Sequence, residues 1–598
     1  MNHNLGCGDR VLRIGAGTAL IGAIPPFQKA VPASRSSRPL CIRSVALQLV
    51  GHKIVSWARE IERKPFKPLH ATGSDVRPKF ELARAAAALS LMLLLFLSTA
   101  AGAVESVWLD STGRPNASAR DALKILADAP ADGLVAQDYQ ARELALQAAE
   151  LARAPEAAAG SAPAFERALG TAMLRFLNDL HRGRVDPRSL GFRIGQHERK
   201  TAGVAALLHA AADEGRLSQA VAALRPRLGQ YGRLREALGH YRTLAADPSP
   251  GLLPPVAPAK ALKAGDIYAG TAALHRRLVA LGDLRAEAQP PGQRYDASLA
   301  DGVRRFQERH GLEADGALGS ATLAALNVPL SQRVLQLELA LERLRWLPEL
   351  GGEPFIGINI AMFRLWAWDP SAPADSLVDM NVVVGRALNT RTPVLAEKMR
   401  YIIFRPYWNV PSSIVRNEIL PAIARDPGYL QRHGMEIVRG AGDNVQSAET
   451  SSPQNLALLR QGVLRLRQRP GPMNSLGRVK FIFPNDDNIY LHDTPATQLF
   501  GRARRDFSHG CVRVEKPVAL ARWVLRDQPE WTPERIDAAM AGSPSQRVEL
   551  TRPLPVIMFY MTAMVTPSDH ALRFAQDIYG HDARLVRALA SRYEDGRR

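Results

Sequence analysis

The sequence predicts a multidomain α+β protein: an α-helical scaffold domain, a small three-helix domain, then a mainly β domain that carries an insertion. Three observations predict it. At 598 residues the chain exceeds the ~100–200 residues of one domain. Apolar residues recur at helical spacing through the Ala-, Leu-, Arg- and Glu-rich stretch 104–250, and alternate at strand spacing beyond residue 354. A composition of 46% hydrophobic and 23% charged residues supplies ordinary cores, which excludes a disordered, collagen-like or disulfide-scaffold chain.

Residues 1–75 are Arg- and Ser-rich, with scattered Pro and no sustained periodicity. They are expected to be a non-native N-terminal extension. Residues 76–103 run VRPKFELARAAAALSLMLLLFLSTAAGA: basic residues, an apolar run, then small residues, the three parts of a secretory signal. Translation from Val76 and cleavage after Ala103 are expected, with the mature chain beginning at Val104. The apolar run Ala85–Leu97 has 13 residues, short of the ~20 that span a bilayer, so a polytopic membrane protein is excluded.

Before Val104, 14 Lys/Arg stand against 5 Asp/Glu; the rest of the chain carries a net +10 of the total +19. That is moderate, and no basic run punctuated by aromatics suggests a nucleic-acid groove. A basic soluble protein fits, as does attraction to an anionic polymer. Of three cysteines, Cys7 and Cys41 precede the expected mature start. Cys511 then has no partner for an internal disulfide, so its thiol is incidental or chemical.

Within 104–250, helices are expected at Ala119–Ala127, Ala141–Arg153, Phe165–His181 and Thr201–Leu224, broken by PADGL and HRGRVDP. A Pro-rich linker spans Pro248–Pro258. Residues 266–328 form a compact unit with helices at Thr271–Leu281 and Ala297–His310, then a third through Leu326 capped by Ser320. Its small core suits binding rather than chemistry. A connecting helix, Gln332–Trp346, leads to the β domain, 352–528. Strand patterns occur in FIGINIAMFRLWAW, MNVVVG, MRYIIF, VKFIFPN and IYLH. Residues 412–470, polar and mixed with helical pieces, interrupt these strands as an insertion that could act as a lid. After a helix at Pro517–Leu525, residues 529–598 are expected to pack on the β domain, with a short β-like run at Pro555–Met561.

The reactive residues concentrate in IYLHDTPATQLFGRARRDFSHGCVRVEKP. His492 closes a strand, and a 15-residue loop leads to Ser508-His509-Gly510-Cys511-Val512-Arg513. A nucleophilic Cys attacks as thiolate, and a nearby imidazole or cation helps form it. His492, His509 and Arg513 could each serve, and the backbone N–H groups around Gly510 could bind an oxyanion. A buried, inert Cys and a zinc site are the rival readings, but no fourth zinc ligand is ordered by the sequence; no metal is expected.

Ser-His-Gly-Cys-Val-Arg after a strand-borne His resembles the signature of YkuD-type L,D-transpeptidases, cysteine enzymes that cross-link peptidoglycan. FRPYWNVP (404–411), RQRPGPMNSLG (467–477) and LHDTP (491–495) resemble their large Gram-negative branch. Phe306-Gln307, His310-Gly311-Leu312, Asp315-Gly316 and Gly319 resemble its peptidoglycan-binding domain, and 104–248 is similar to its scaffold.

The resemblance implies Cys511 as nucleophile and His492 as general base, oriented by a backbone carbonyl near Asp493. Ser508, His509 and Gly510 would line the site, with the Gly510 and Cys511 amides forming the oxyanion hole. Arg513, Tyr407, Trp408 and Asn409 would bind substrate. It further implies a periplasmic, wall-associated monomer without a cofactor, active in cell-wall biogenesis and cell shape. Its partners would be tetrapeptide stems and glycan strands, with no nucleic acid and no membrane contact beyond the signal. Carbapenems would acylate it. Cys511 would release D-Ala, form a thioester, and pass the acyl group to a neighbouring amine as a 3→3 cross-link. Hydrolysis by an L,D-carboxypeptidase, or a non-catalytic wall-binding adaptor, are the alternatives.

Overall fold

The computed structural model describes residues 106–595, except 159, 195–202, 248–250, 257–260, 287–291, 351, 374–375, 387–389, 442–443 and 543. The expected N-terminal extension, signal segment and mature start lie outside the described residues. No helix among those described is long and apolar enough to cross a membrane.

The first domain packs α1 (Ala117–Ala127), α2 (Ala141–Arg153), α3 (Ala162–Arg182), α4 (Val204–Asp213), α5 (Leu217–Leu224) and α6 (Gly229–Ala246). Each buries one apolar stripe, with Leu126, Leu144, Phe165 and Phe176 meeting in the core. The Asn116 side chain accepts from the Ala119 N–H and caps α1. The single helix expected over Thr201–Leu224 is two, because Gly215 turns the chain in the left-handed region at φ 65°. The sequence did not announce α6, whose Gly229, Gly232 and Gly239 lower its helix propensity.

The three-helix unit consists of α7 (Thr271–Ala280), α8 (Ala297–Arg309) and α9 (Ser320–Leu326), around Leu278, Val303, Phe306 and Leu318. Asp296 caps α8. The expected cap at Ser320 is not formed: Gly319 is the N-cap residue of α9, without a side-chain bond. Gln307, buried, ties the Asp315–Gly316 turn to Thr322 through its amide. The unit docks on the β domain where the Ala503 N–H donates to Glu313 (2.9 Å), and His310 stacks between Phe306 and Phe574.

The connecting helix α10 (Leu330–Leu344) carries Glu342, fully buried, which accepts from Arg184 and Arg345 and so joins the helical domain to the rest.

The strands of the β domain's main sheet are β1 (Phe355–Asn359), β2 (Arg364–Trp368), β3 (Val378–Gly385), β4 (Leu395–Phe404), β9 (Val479–Ile482), β10 (Leu491–His492), β11 (Asp506–Ser508), β12 (Val512–Val514) and β13 (Gln546–Phe559). They lie in the order β11-β3-β12-β10-β9-β4-β13-β1-β2, and β2 pairing with β3 closes the sheet toward a barrel. The run 355–368 breaks into a hairpin at Phe363, φ 54°.

Two expectations change here. The C-terminal part does not merely pack on the domain: β13 lies inside the sheet between β4 and β1. The β-like run expected at Pro555–Met561 is its second half; Pro553 hid the first, and the ladder shifts register between Glu549 and Leu554, where a Pro is tolerated. The insertion, expected as polar and mixed with helical pieces, also holds strands. β5 (Trp408–Asn409), β6 (Met435–Ala441), β7 (Asn444–Glu449) and β8 (Arg465–Gln468) form their own sheet over a core of Ile419, Leu420, Ile423, Ile437 and Leu466. A small hairpin of β14 (Ala563–Val565) and β15 (Leu572–Phe574) follows β13.

Candidate active site

β10 and β12 run parallel with Leu491 opposite Val512 and His492 opposite Arg513. The Val512 N–H donates to the Tyr490 carbonyl at 3.1 Å, setting Cys511 beside Tyr490 at the strand ends. Leu491, Val512 and Val514 are buried, so hydrophobic register fixes the reactive residues.

The turn before Cys511 needs a glycine. Gly510 has φ 115°, and a Cβ there would press on Ile489 at 3.2 Å. Ser508 Oγ accepts from the Gly510 N–H (3.1 Å) and donates to the Cys511 carbonyl (2.6 Å). Thr392 braces the same turn by donating to the Gly510 carbonyl at 2.7 Å, and Tyr579 holds Gly385 alongside. The Gly510 amide, expected in an oxyanion hole, here donates to Ser508 Oγ. The Cys511 N–H has no partner among the described residues.

His492 is buried and its Nδ1 lies 2.6 Å from the Asp493 carbonyl. A neutral ring donates there and keeps its lone pair on Nε2. Burial, and then the Arg513 cation, hold His492 down at about 3. Asp493 is clasped by the Arg478 backbone N–H (2.9 Å) and Nε (3.2 Å). Gly477 makes room for that clasp: at φ 59°, a Cβ would fall 2.4 Å from the Asp493 carboxyl carbon.

The Cys511 side chain is half-buried, and its Sγ lies 3.8 Å from the Asn488 carbonyl. Burial pushes the thiol up. Tyr490, Arg513 and Lys480 pull against that rise. Tyr490 stands edge-on to His492 at 5.8 Å between centroids, and burial and the thiol together raise its hydroxyl. The Cys511 thiol and the His492 ring are therefore both uncharged at neutral pH. Arg513 is half-buried with Nε unpaired among the described residues, and burial followed by Arg386 lowers its pKa.

The other candidates separate. His509 Nε2 meets the carboxylate of Glu418 at 2.6 Å, on a π-helical turn (Val415–Ile419) of the insertion. Tyr407 lies under the Arg467 guanidinium at 4.2 Å, and Asn409 pairs with Arg467 across β5 and β8. Trp408, expected at the substrate, is half-buried and packs against the insertion's apolar core. Tyr490, Thr392 and Glu418 escaped the sequence reading. Tyr490 was within its reach, since two residues before His492 lies the same strand face. Among the described residues no group of three His, Cys, Asp or Glu side chains is placed to hold a metal ion.

Comparison with known proteins identifies the domains that the chain resembles. Residues 353–544 match the L,D-transpeptidase catalytic domain, called YkuD. Residues 100–238 match the scaffold domain, and 269–326 match a "Putative peptidoglycan binding domain". A Haemophilus influenzae protein named "Putative L,D-transpeptidase" is 31% identical over 250 residues, 42% of this chain. The match spans about half, 48%, of that curated relative.

Proposed function

We propose that this chain, which carries a YkuD-type L,D-transpeptidase catalytic domain beside scaffold and peptidoglycan-binding domains, cross-links peptidoglycan through a Cys511 thioester. The observation that carries the reading is an uncharged thiol and an uncharged imidazole set on either side of Tyr490 at the ends of β10 and β12, the imidazole with its Nδ1 held at Asp493 and its lone pair on Nε2.

The chemistry follows from those charge states. As Sγ attacks the carbonyl joining the third residue of a stem tetrapeptide to its terminal D-Ala, His492 Nε2 takes the thiol proton. Proton transfer thus accompanies attack, because burial disfavours a standing thiolate–imidazolium pair. The Cys511 N–H accommodates the developing oxyanion. The intermediate collapses, the C–N bond breaks, and His492 returns the proton to the departing D-Ala amine. A side-chain amine of a neighbouring stem then loses a proton to His492 and attacks the thioester. This forms the 3→3 amide and restores the thiol. Arg513 binds a substrate carboxylate, and the insertion bearing Glu418 covers the acyl-enzyme against water.

The domain set also supports a wall-associated, exported enzyme. The test is incubation of the full chain with disaccharide tetrapeptides, followed by mass spectrometry. Dimers with an equivalent of D-Ala support transfer. Shortened monomers alone would make it an L,D-carboxypeptidase, and unchanged substrate would leave a wall-binding adaptor.

A further inference from the structure

A cavity of about 370 Å³ lies where α6 and the end of α10 face β1, β2 and β13, and it shares no residue with the Cys511 site. Phe355, Trp366, Phe559, Leu347, Met561 and Met564 wall it. Its volume is in the ~300–1,000 Å³ range of small-molecule sites, and the two flexible thioethers suit an adaptable apolar guest.

Two independent features mark it as built. The first is Gly357, in mid-β1 between Trp366 of β2 and Ile557 of β13. A Cβ there would approach the Phe355 and Phe559 rings to 3.3 Å, so its absence clears the floor. Glycine weakens a strand interior and marks places where something approaches the backbone. The second is on α6, where Gln230 and Arg233 lie one turn apart on one face. Gln230 is 9% exposed, yet neither amide atom has a partner among the described residues. The Arg233 Nε is also buried and unpartnered, and no carboxylate pairs with Arg233 among the described residues. Unsatisfied buried donors are rare, and here two of them border one end of an apolar cavity.

We infer that this cavity binds a fatty-acid anion: one hydrocarbon chain between the aromatic and methionine walls, with its carboxylate accepting from Gln230 Nε2 and Arg233 Nε. The Cys511 chemistry uses none of these residues, so the inference stands or falls apart from the proposed function.

Trp366 and Trp368 border the cavity, so binding reads out in the intrinsic fluorescence of the full chain. Titration with decanoate below its micelle concentration should saturate at one per chain. Arg233→Gln should weaken decanoate by at least about tenfold while leaving neutral decanol unchanged, since a charge-assisted hydrogen bond is lost. Gly357→Val should block both ligands. If that variant does not fold, Arg233→Gln on the half-exposed helix face still decides. Non-saturating titration, equal binding of decyltrimethylammonium, indifference to Arg233→Gln, or binding only to anionic phospholipid vesicles would each overturn the inference.

Discussion

Burial sets the charge of both reacting side chains, and this has a pH consequence. His492 works as a base only while unprotonated. With its folded value at about 3, that form persists far below the ordinary histidine range. The kcat/KM profile should therefore stay level from neutrality to pH 5, with its acid limb set near 3; a limb near 6.5 would contradict the assignment. Cys511→Ala should abolish turnover with the fold intact by circular dichroism, and His492→Ala should cost ~10²–10⁴-fold. Near-normal rates in either variant would sink the roles of nucleophile and base. These two residues were legible because thiol, imidazole and glycine crowd one short stretch with strand spacing. Thr392 and Glu418 were not, being joined to the motif from 118 and 91 residues away. Pairings at that separation leave no local periodicity.

At the level of elements, Glu418 ties the insertion's π-helical turn to the Cys511 loop through His509. Both partners are partly exposed, so the pair is worth only ~0.2–1 kcal/mol. Glu418→Ala should raise the opening of residues 412–425 by roughly 1.4- to 5-fold, read by hydrogen exchange. KM for peptide substrates should rise with it, while acylation by a small carbapenem stays unchanged. Unaltered exchange would mean that the insertion is held by its other contacts. The helices α1–α3 and α7–α10 were readable because one apolar stripe per helix faces a core. β6 and β7 were not: β7 alternates exposed and half-buried positions along its whole length and has only Val445 and Ala448 as apolar residues, too few to show a strand pattern. β13 was half-read for a similar reason, its first half being charged and interrupted by proline.

For the molecule as a whole, buried histidines make stability depend on acidity. Burial lowers His310 well below its ordinary value, His492 to about 3 and His581 to about 4. The unfolded chain protonates these rings near 6.5, before the folded one does. Their contribution is thus complete above that pH and is lost as pH falls toward 4. Urea unfolding should show lower stability at pH 5 than at pH 7, a window in which most carboxylates stay ionised. His581→Gln should flatten the difference. Equal stability at both values would show that other groups offset the rings.

The position of β13 bears on how the chain is made. Its neighbours β4 and β1 are translated some 150 to 200 residues earlier, and both wait for it with bare edges. A ribosome that has already released Cys511 has therefore not yet released an enzyme: the reactive thiol exists before the sheet that disciplines it. The region matching the catalytic family stops at residue 544, two short of β13. A fragment ended there keeps Cys511 and His492 and loses the strand that joins β4 to β1. It should aggregate through those two open edges, whereas one ended at residue 595 should stay in solution, as sedimentation would record.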